Sequence, residues 1–110
     1  MMNHSQHITC IEACLRCVAT CNHCASSCLA EEDVHMMRNC IRLDLECAAI
    51  CSAAAQLMSM GSSVAARVCA ICAEVCEACA EECSKHDEAH CKECAEACRA
   101  CAAECRKMAA

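Results

Sequence analysis

The chain has very few of the residues that build turns and strands. It contains no proline, phenylalanine, tyrosine or tryptophan, and a single glycine in 110 residues. Tight turns depend on glycine and proline, and strands favour aromatic and β-branched side chains. A β-rich fold is therefore excluded.

Large aliphatic side chains are also scarce. Leu, Ile and Val occur five times each, so together they make up only 15 of the 110 residues. In an ordinary chain so low a fraction would suggest disorder. Cysteine takes their place, with 19 residues. The core of this chain must be filled by something other than aliphatic packing.

The charge balance and the lack of long apolar runs exclude two classes of partner. Nine Lys and Arg against fifteen Asp and Glu give a formal charge of −6, and no basic stripe suits nucleic acid. No apolar run approaches the roughly 20 residues that span a bilayer. The segment MMNHSQHITC does not resemble a secretory signal. We therefore expect neither a nucleic-acid nor a membrane partner. We expect residues 1–110 to form one domain and the protein to be located in the cytoplasm, where thiols stay reduced.

The cysteines fall into four groups with helical spacing. Steps of three and four residues alternate in the first, third and fourth groups, which is the a/d alternation of a heptad. The second group steps seven and then four, and Asp44 occupies its vacant position. The groups are Cys10, Cys14, Cys17, Cys21, Cys24 and Cys28; Cys40, Cys47 and Cys51; Cys69, Cys72, Cys76, Cys79 and Cys83; and Cys91, Cys94, Cys98, Cys101 and Cys105. Each group is predicted to line one face of one helix.

The ends of these helices carry weaker signals. Thr9 with Glu12 is typical of a capping box, Asp33 and Asp87 are candidate N-caps, and Gly61 is suited to end the second helix. The predicted helices span about 5–30, 33–59, 63–84 and 87–107, with ends uncertain by two to four residues. Such short connections predict an all-α, antiparallel up-down-up-down four-helix bundle with a cysteine-lined core.

Packing alone and a disulfide scaffold are both poor explanations for so many cysteines. A core of thiols and alanines without larger side chains would be thin and weakly stabilising. Helical neighbours three or four residues apart have Cβ atoms about 5–6 Å apart, whereas a disulfide needs about 3.5–4.5 Å. An odd total of 19 also argues against complete pairing.

Soft metal ions are the better explanation, because an ion bridges a gap between sulfurs that a direct bond does not. The chain contains eight C-x-x-x-C pairs. Thiolates select Cu(I), with zinc and iron–sulfur clusters as competitors. Closed zinc tetrahedra would use 19 thiolates for at most about four or five ions, whereas two or three sulfurs suffice for Cu(I). Exchange of a thiol proton for Cu(I) also leaves the net charge of the core unchanged.

The sequence resembles the cytosolic copper storage proteins. The resemblance rests on the segments CIEACLRCVATCNHC, CIRLDLECAAIC, CAICAEVCEACAEECSKH and HCKECAEACRACAAECRKM, which cover most of residues 10–108. It implies a bundle that binds many Cu(I) ions through its cysteines and assembles as a homotetramer. It also implies storage rather than an enzymatic activity.

Additional candidate ligands cluster where the first and third helices end and the second and fourth begin. We call this the histidine end; it gathers His35, Met36, Met37, His86, Asp87 and His90, with His23 about one turn inside. Imidazole and thioether groups are exchangeable ligands for Cu(I), so this end is a candidate copper entrance, and the resemblance supports that hypothesis. The alternative is that these are polar residues at solvated helix ends.

Two further features remain open at the level of sequence. The opposite end, here the methionine end, offers His7, Met58 and Met108, which act either as ligands or as a flexible plug. Asp44 either binds copper, accepts a hydrogen bond, or fixes the helix register as a polar core residue.

Apolar positions beside the cysteine stripes of the first two helices favour oligomerisation. They are Ile8, Ile11, Leu15, Val18 and Leu29 in the first helix and Met36, Leu43, Ile50 and Leu57 in the second.

A copper chaperone or a small thiol is the expected copper donor or acceptor. No acid–base pair or cofactor loop indicates an enzyme. The alternatives to copper storage are a zinc or cadmium buffer, a thiol redox protein and an iron–sulfur protein.

Overall fold

A computed structural model describes residues 4–109. Four α-helices make up most of this range: α1 His4–Leu29, α2 Arg38–Ser59, α3 Ala65–Cys83 and α4 Ala89–Ala109. A short 3-10 helix, Val34–Met37, precedes α2, and no strand occurs between residues 4 and 109. The described part of the chain measures 48 × 18 × 18 Å. Each helix packs against its two neighbours in the order α1, α2, α3, α4 and back to α1, which confirms the predicted antiparallel bundle.

The start of the second helix was predicted too early. Asp33 makes no side-chain cap, and the chain instead passes through the 3-10 turn, with the N–H of Met36 donating to the carbonyl of Asp33. The 3-10 turn places Met37 in the core, where it is only 3% exposed. Burial of one large side chain therefore decides where α2 begins.

Two other predicted caps also differ from the structure. The Thr9 capping box is wrong, because α1 already begins at His4 and Thr9 lies inside the helix. Helix α4 begins at Ala89, two residues after Asp87. The intervening turn is tied back to α3, where the Ser84 hydroxyl donates to the carbonyl of Glu81.

The prediction that Gly61 ends the second helix is confirmed. Its φ is +67°, a left-handed conformation that side chains with a Cβ disfavour. The N–H groups of Gly61 and Ser62 donate to the carbonyls of Met58 and Leu57, which is the Schellman pattern of helix termination. The Ser62 hydroxyl then accepts a hydrogen bond from Val64 N–H just before α3.

The core is a column of sulfur enclosed by small residues. All 19 cysteines are at most 1% exposed. Alanines flank them, including Ala54 and Ala73, which are fully buried. Small side chains let the helices approach closely, so the thiols of all four helices meet on one axis. Within residues 4–109, no helix combines the length and the apolar character that crossing a membrane requires.

The apolar positions beside the stripes have divided roles. Ile11 is buried, and Val18, Leu43, Ile50 and Leu57 pack against the core. Ile8, Leu15, Leu29 and Met36 are exposed. The exposed set, together with Val34, Leu45, Met60 and Ile71, is accessible to another molecule.

Candidate metal centre

The sulfur atoms of each helix form closely spaced pairs. Seven of the eight C-x-x-x-C pairs bring their Sγ atoms to 3.8–4.0 Å. This is well beyond the roughly 2.05 Å of a disulfide bond, and all 19 cysteines are free thiols. The helices therefore hold the sulfurs as neighbours without joining them.

Contacts between helices connect these pairs into a column, with Asp44 inserted among the sulfurs near the histidine end. The Sγ atom of Cys47 lies 3.5 Å from that of Cys76, 3.6 Å from that of Cys17 and 3.8 Å from that of Cys98. One turn along, Cys51 lies 3.5 Å from Cys72 and 3.8 Å from Cys101. Cys47 and Cys51 are thus each within reach of an ion placed on either side of them.

Sets of four sulfurs along the column have all their atoms within 4.8 Å of one another. Neighbouring sets share members: Cys51 and Cys101 belong to two sets, as do Cys17, Cys21 and Cys98. The sulfurs of a tetrahedral zinc site with bonds of about 2.3 Å lie roughly 3.8 Å apart, so one set alone would suit zinc. Because neighbouring sets share sulfurs, however, separate zinc tetrahedra cannot occupy all of the sets at once. The column favours an ion of low charge that accepts bridging thiolates.

Asp44 is the single polar residue in the buried core of the described chain. The thiols of Cys94 and Cys79 donate to its Oδ1 atom at 3.1 and 3.3 Å, and that of Cys83 lies at 3.5 Å. Burial raises the pKa of the carboxyl to about 10. Asp44 is therefore a neutral acid at pH 7, enclosed by thiols from α3 and α4.

At the histidine end, His90 faces the last sulfurs of the column. Its Nδ1 atom lies 3.5 Å from the Sγ of Cys91, 3.7 Å from that of Cys24 and 3.8 Å from that of Cys28. These three cysteines and Cys40 form one of the sets of four. The histidine end therefore presents four thiols and one imidazole nitrogen together.

Two thiols at this end, those of Cys28 and Cys91, are protonated before metal arrives. Burial raises the pKa of Cys28 to about 12, and it also raises the pKa of Cys91. An incoming ion must therefore displace protons, and lower pH weakens its binding.

The other predicted ligands of the histidine end do not converge on the sulfurs. His23 and His35 are exposed, and neither imidazole ring has a hydrogen-bonding partner among residues 4–109. The Nε2 atom of His86 lies 3.1 Å from a carboxylate oxygen of Glu82. Met37 is buried in the apolar cluster of the core. Of the five candidates beyond the cysteines and Asp44, only His90 makes a polar contact with thiols of the column, while Met37 packs against the buried cysteines as part of the same core cluster.

The methionine end is closed by apolar side chains. Met58 is 2% exposed and Met108 is 8% exposed, whereas His7 is partly exposed. At this end α2 contributes the fully buried Ala54 instead of a cysteine. The structure therefore has one end rich in polar ligands and one end that excludes water.

Sequence reasoning missed Glu31. Its Oε1 atom lies 2.9 Å from the Nε2 of His90, so a residue just after α1 binds one at the start of α4. The three acidic residues 31–33 look like an ordinary solvated turn. The one available signal was the position of Glu31, three residues after Cys28 and thus close to the end of the cysteine stripe.

The fold and the donor set define a class of protein: a helical bundle whose interior is a reservoir of thiol ligands. A family model described as copper storage protein matches residues 3–110. The chain belongs to the copper storage protein family. No curated protein matches it significantly.

Several solved structures resemble the chain along nearly all of its length. The Cu(I)-bound copper storage protein BsCsp3 is 50% identical, with a TM-score of 0.92 over 96% of this chain and 99% of that one. The apo form of copper storage protein 3 from Bacillus subtilis is also 50% identical, with a TM-score of 0.86 over 93% and 97%. A cytosolic copper storage protein from Streptomyces lividans, with five coppers, is 40% identical, with a TM-score of 0.92 over 96% and 92%.

Proposed function

We propose that this chain, acting as one domain, stores multiple Cu(I) ions on the cysteines of its core. The observation that carries the proposal is the sharing of sulfurs between neighbouring sets of four. Shared thiolates bridge successive ions, so the number of ions bound exceeds the number of separate four-sulfur sites. The Streptomyces lividans relative has been loaded with ten copper equivalents, which supports this mode of filling.

The 19 cysteines are the proposed ligands, with His90 completing the ligand set at the histidine end. Copper then enters beside His90 and moves inward by exchange between neighbouring thiols. Sγ distances are 3.5–3.9 Å on either side of Asp44, and across it the sulfur of Cys79 lies within 4.8 Å of those of Cys21, Cys94 and Cys98. Asp44 takes the place of one cysteine along this path, and its Oδ1 atom lies within 3.5 Å of the Sγ atoms of three cysteines. The role is sequestration, in which buried thiolates keep Cu(I) away from oxidants, and it needs no catalytic residue. We place this activity in the cytoplasm, with a chaperone or small thiol exchanging the copper.

An anaerobic titration of the reduced protein with Cu(I), against a competing chromophoric chelator, tests the proposal. We expect the copper bound per chain to rise well above about four or five, the limit for closed four-thiolate sites. Zn(II), titrated in parallel, serves as the matched control and should stop at or below that limit. A copper plateau near four or five, or no competition with the chelator, would overturn copper storage in favour of zinc buffering or thiol redox chemistry.

We also propose that copies of the chain associate into the homotetramer that the family resemblance implies. Leu15, Leu45 and Ile71 are each more than half exposed, and exposed apolar surface of this kind favours association. Light scattering on the reduced protein should give four times 11.8 kDa, about 47 kDa. A Leu15→Glu variant should lower that mass, whereas Glu12→Gln, on an exposed position of the same helix, should not. A wild-type mass of one chain at all concentrations would contradict the assembly.

A further inference from the structure

At the histidine end, the ring of His90 lies between the carboxylate of Glu31 and the thiols of the column. The two ring nitrogens of His90 face different surroundings. Nε2 lies 2.9 Å from Oε1 of Glu31, and Nδ1 lies 3.5–3.8 Å from three thiols of the column. The side chain of His90 is 14% exposed, so bulk water has little access to the ring.

A carboxylate accepts hydrogen bonds and has none to donate when ionised. The contact with Glu31 therefore requires a proton on Nε2. In the neutral imidazole this leaves the lone pair on Nδ1, directed at the thiols of Cys24, Cys28 and Cys91. A metal ion bound by these sulfurs would meet a nitrogen that is ready to coordinate.

Glu31 is held in position by the end of α1. Its backbone N–H donates to the carbonyl of Cys28 at 3.2 Å, and the preceding N–H of Ala30 donates to the carbonyl of Ser27. The carboxylate is thus fixed one turn beyond a proposed ligand and reaches across to α4. Glu32, the next residue, is exposed and forms no hydrogen bond within the described range.

We propose that Glu31 is a positioning residue for copper uptake, which rests on the proposed storage function. It holds His90 in the tautomer whose Nδ1 faces the sulfurs, and its negative charge strengthens the imidazole as a donor to Cu(I). Carboxylates that orient a ligating histidine commonly change metal affinity by about 10- to 100-fold when they are removed.

Two measurements on the full-length reduced protein test this role. NMR nitrogen shifts at about pH 8, where an ordinary imidazole is neutral, should show His90 with its proton on Nε2. Glu31→Ala should give a mixture of tautomers. Stopped-flow transfer of the first Cu(I) from a chromophoric chelator should slow by about tenfold in Glu31→Ala, with the final copper capacity unchanged.

Three control variants separate positioning from a merely structural role. Glu32→Ala removes the same charge from the adjacent residue and should retain the wild-type tautomer and rate. Glu31→Gln keeps an acceptor oxygen for Nε2 and should retain the tautomer with a rate between those of wild type and Glu31→Ala. In a His90→Ala background, Glu31→Ala should cause no further slowing, because Glu31 acts through His90.

Three results would overturn the role of Glu31. They are a single Nε2–H tautomer retained in Glu31→Ala, a wild-type transfer rate in that variant, or equal slowing with and without His90. In each case the wild-type protein still fills with copper and storage stands. A wild-type protein that takes up no Cu(I) would overturn the proposed function itself, and the role of Glu31 with it.

Discussion

The copper-loaded protein is expected to unfold at least 15–30 °C above the apo protein. A ligand present at a thousand times its dissociation constant stabilises the native state by about 4 kcal/mol. In a domain of this size each kcal/mol raises Tm by roughly 4–8 °C. A single filled site therefore accounts for that shift, and several filled sites along the column enlarge it. The apo core is built mainly from thiols and alanines and has little aliphatic packing, so bound copper contributes a large share of the stability of the loaded protein.

Thermal unfolding followed by circular dichroism in sealed anaerobic cells measures this shift. Cys47→Ala should reduce it, because the Sγ of Cys47 contacts four other sulfurs at 3.5–3.9 Å. Ala49→Ser, at an exposed position of the same helix, is the matched control and should leave the shift unchanged. A shift of only a few degrees with several coppers bound would mean that the unfolded chain binds copper nearly as well as the column does.

Asp44→Asn is expected to stabilise the apo protein near neutral pH by a few kcal/mol. Burial raises the pKa of the native carboxyl from 3.8 to about 10, so the folded state holds a proton that the unfolded state has lost. Between these two values the folded state binds more protons, and stability falls as pH rises. The slope is at most about 1.4 kcal/mol per pH unit. Asparagine keeps the shape of the side chain and has no charge to lose.

Urea unfolding of the reduced apo protein at pH 5, 6 and 7 tests this prediction. Over that range ordinary thiols stay protonated, so the carboxyl of Asp44 dominates the difference between wild type and Asp44→Asn. The advantage of the variant should grow with pH and become small near pH 4. Glu46→Gln, on an exposed position of α2, should show no such trend. A constant difference across the range would show that Asp44 does not titrate between the two states.

Much of the architecture was predictable because it depends on local periodicity. Alternating steps of three and four residues place every cysteine of a group on one side of a helix, and the short connections allow only antiparallel neighbours. The end of the second helix was also predictable, because Gly61 is the one residue in the chain free of a Cβ. The start of that helix was not, since burial of Met37 decided it.

The details of the histidine end depended on tertiary structure. His23, His35 and His90 look equivalent as candidate ligands in sequence, yet only His90 contacts the sulfurs. Which side chain faces the column depends on the rotation of each helix and on the path of the turns, and neither follows from spacing alone.

The amino-acid sequence by itself determined that a column of sulfur would form, because helical period and cysteine spacing coincide. Only the tertiary structure decided how neighbouring sulfurs are shared, that Asp44 lies among thiols from α3 and α4, and that the carboxylate of Glu31 lies against the ring of His90. Those relations join residues up to 95 positions apart, as between Cys10 and Cys105. They are set by the packing of four helices against one another, a long-range property that no local pattern encodes.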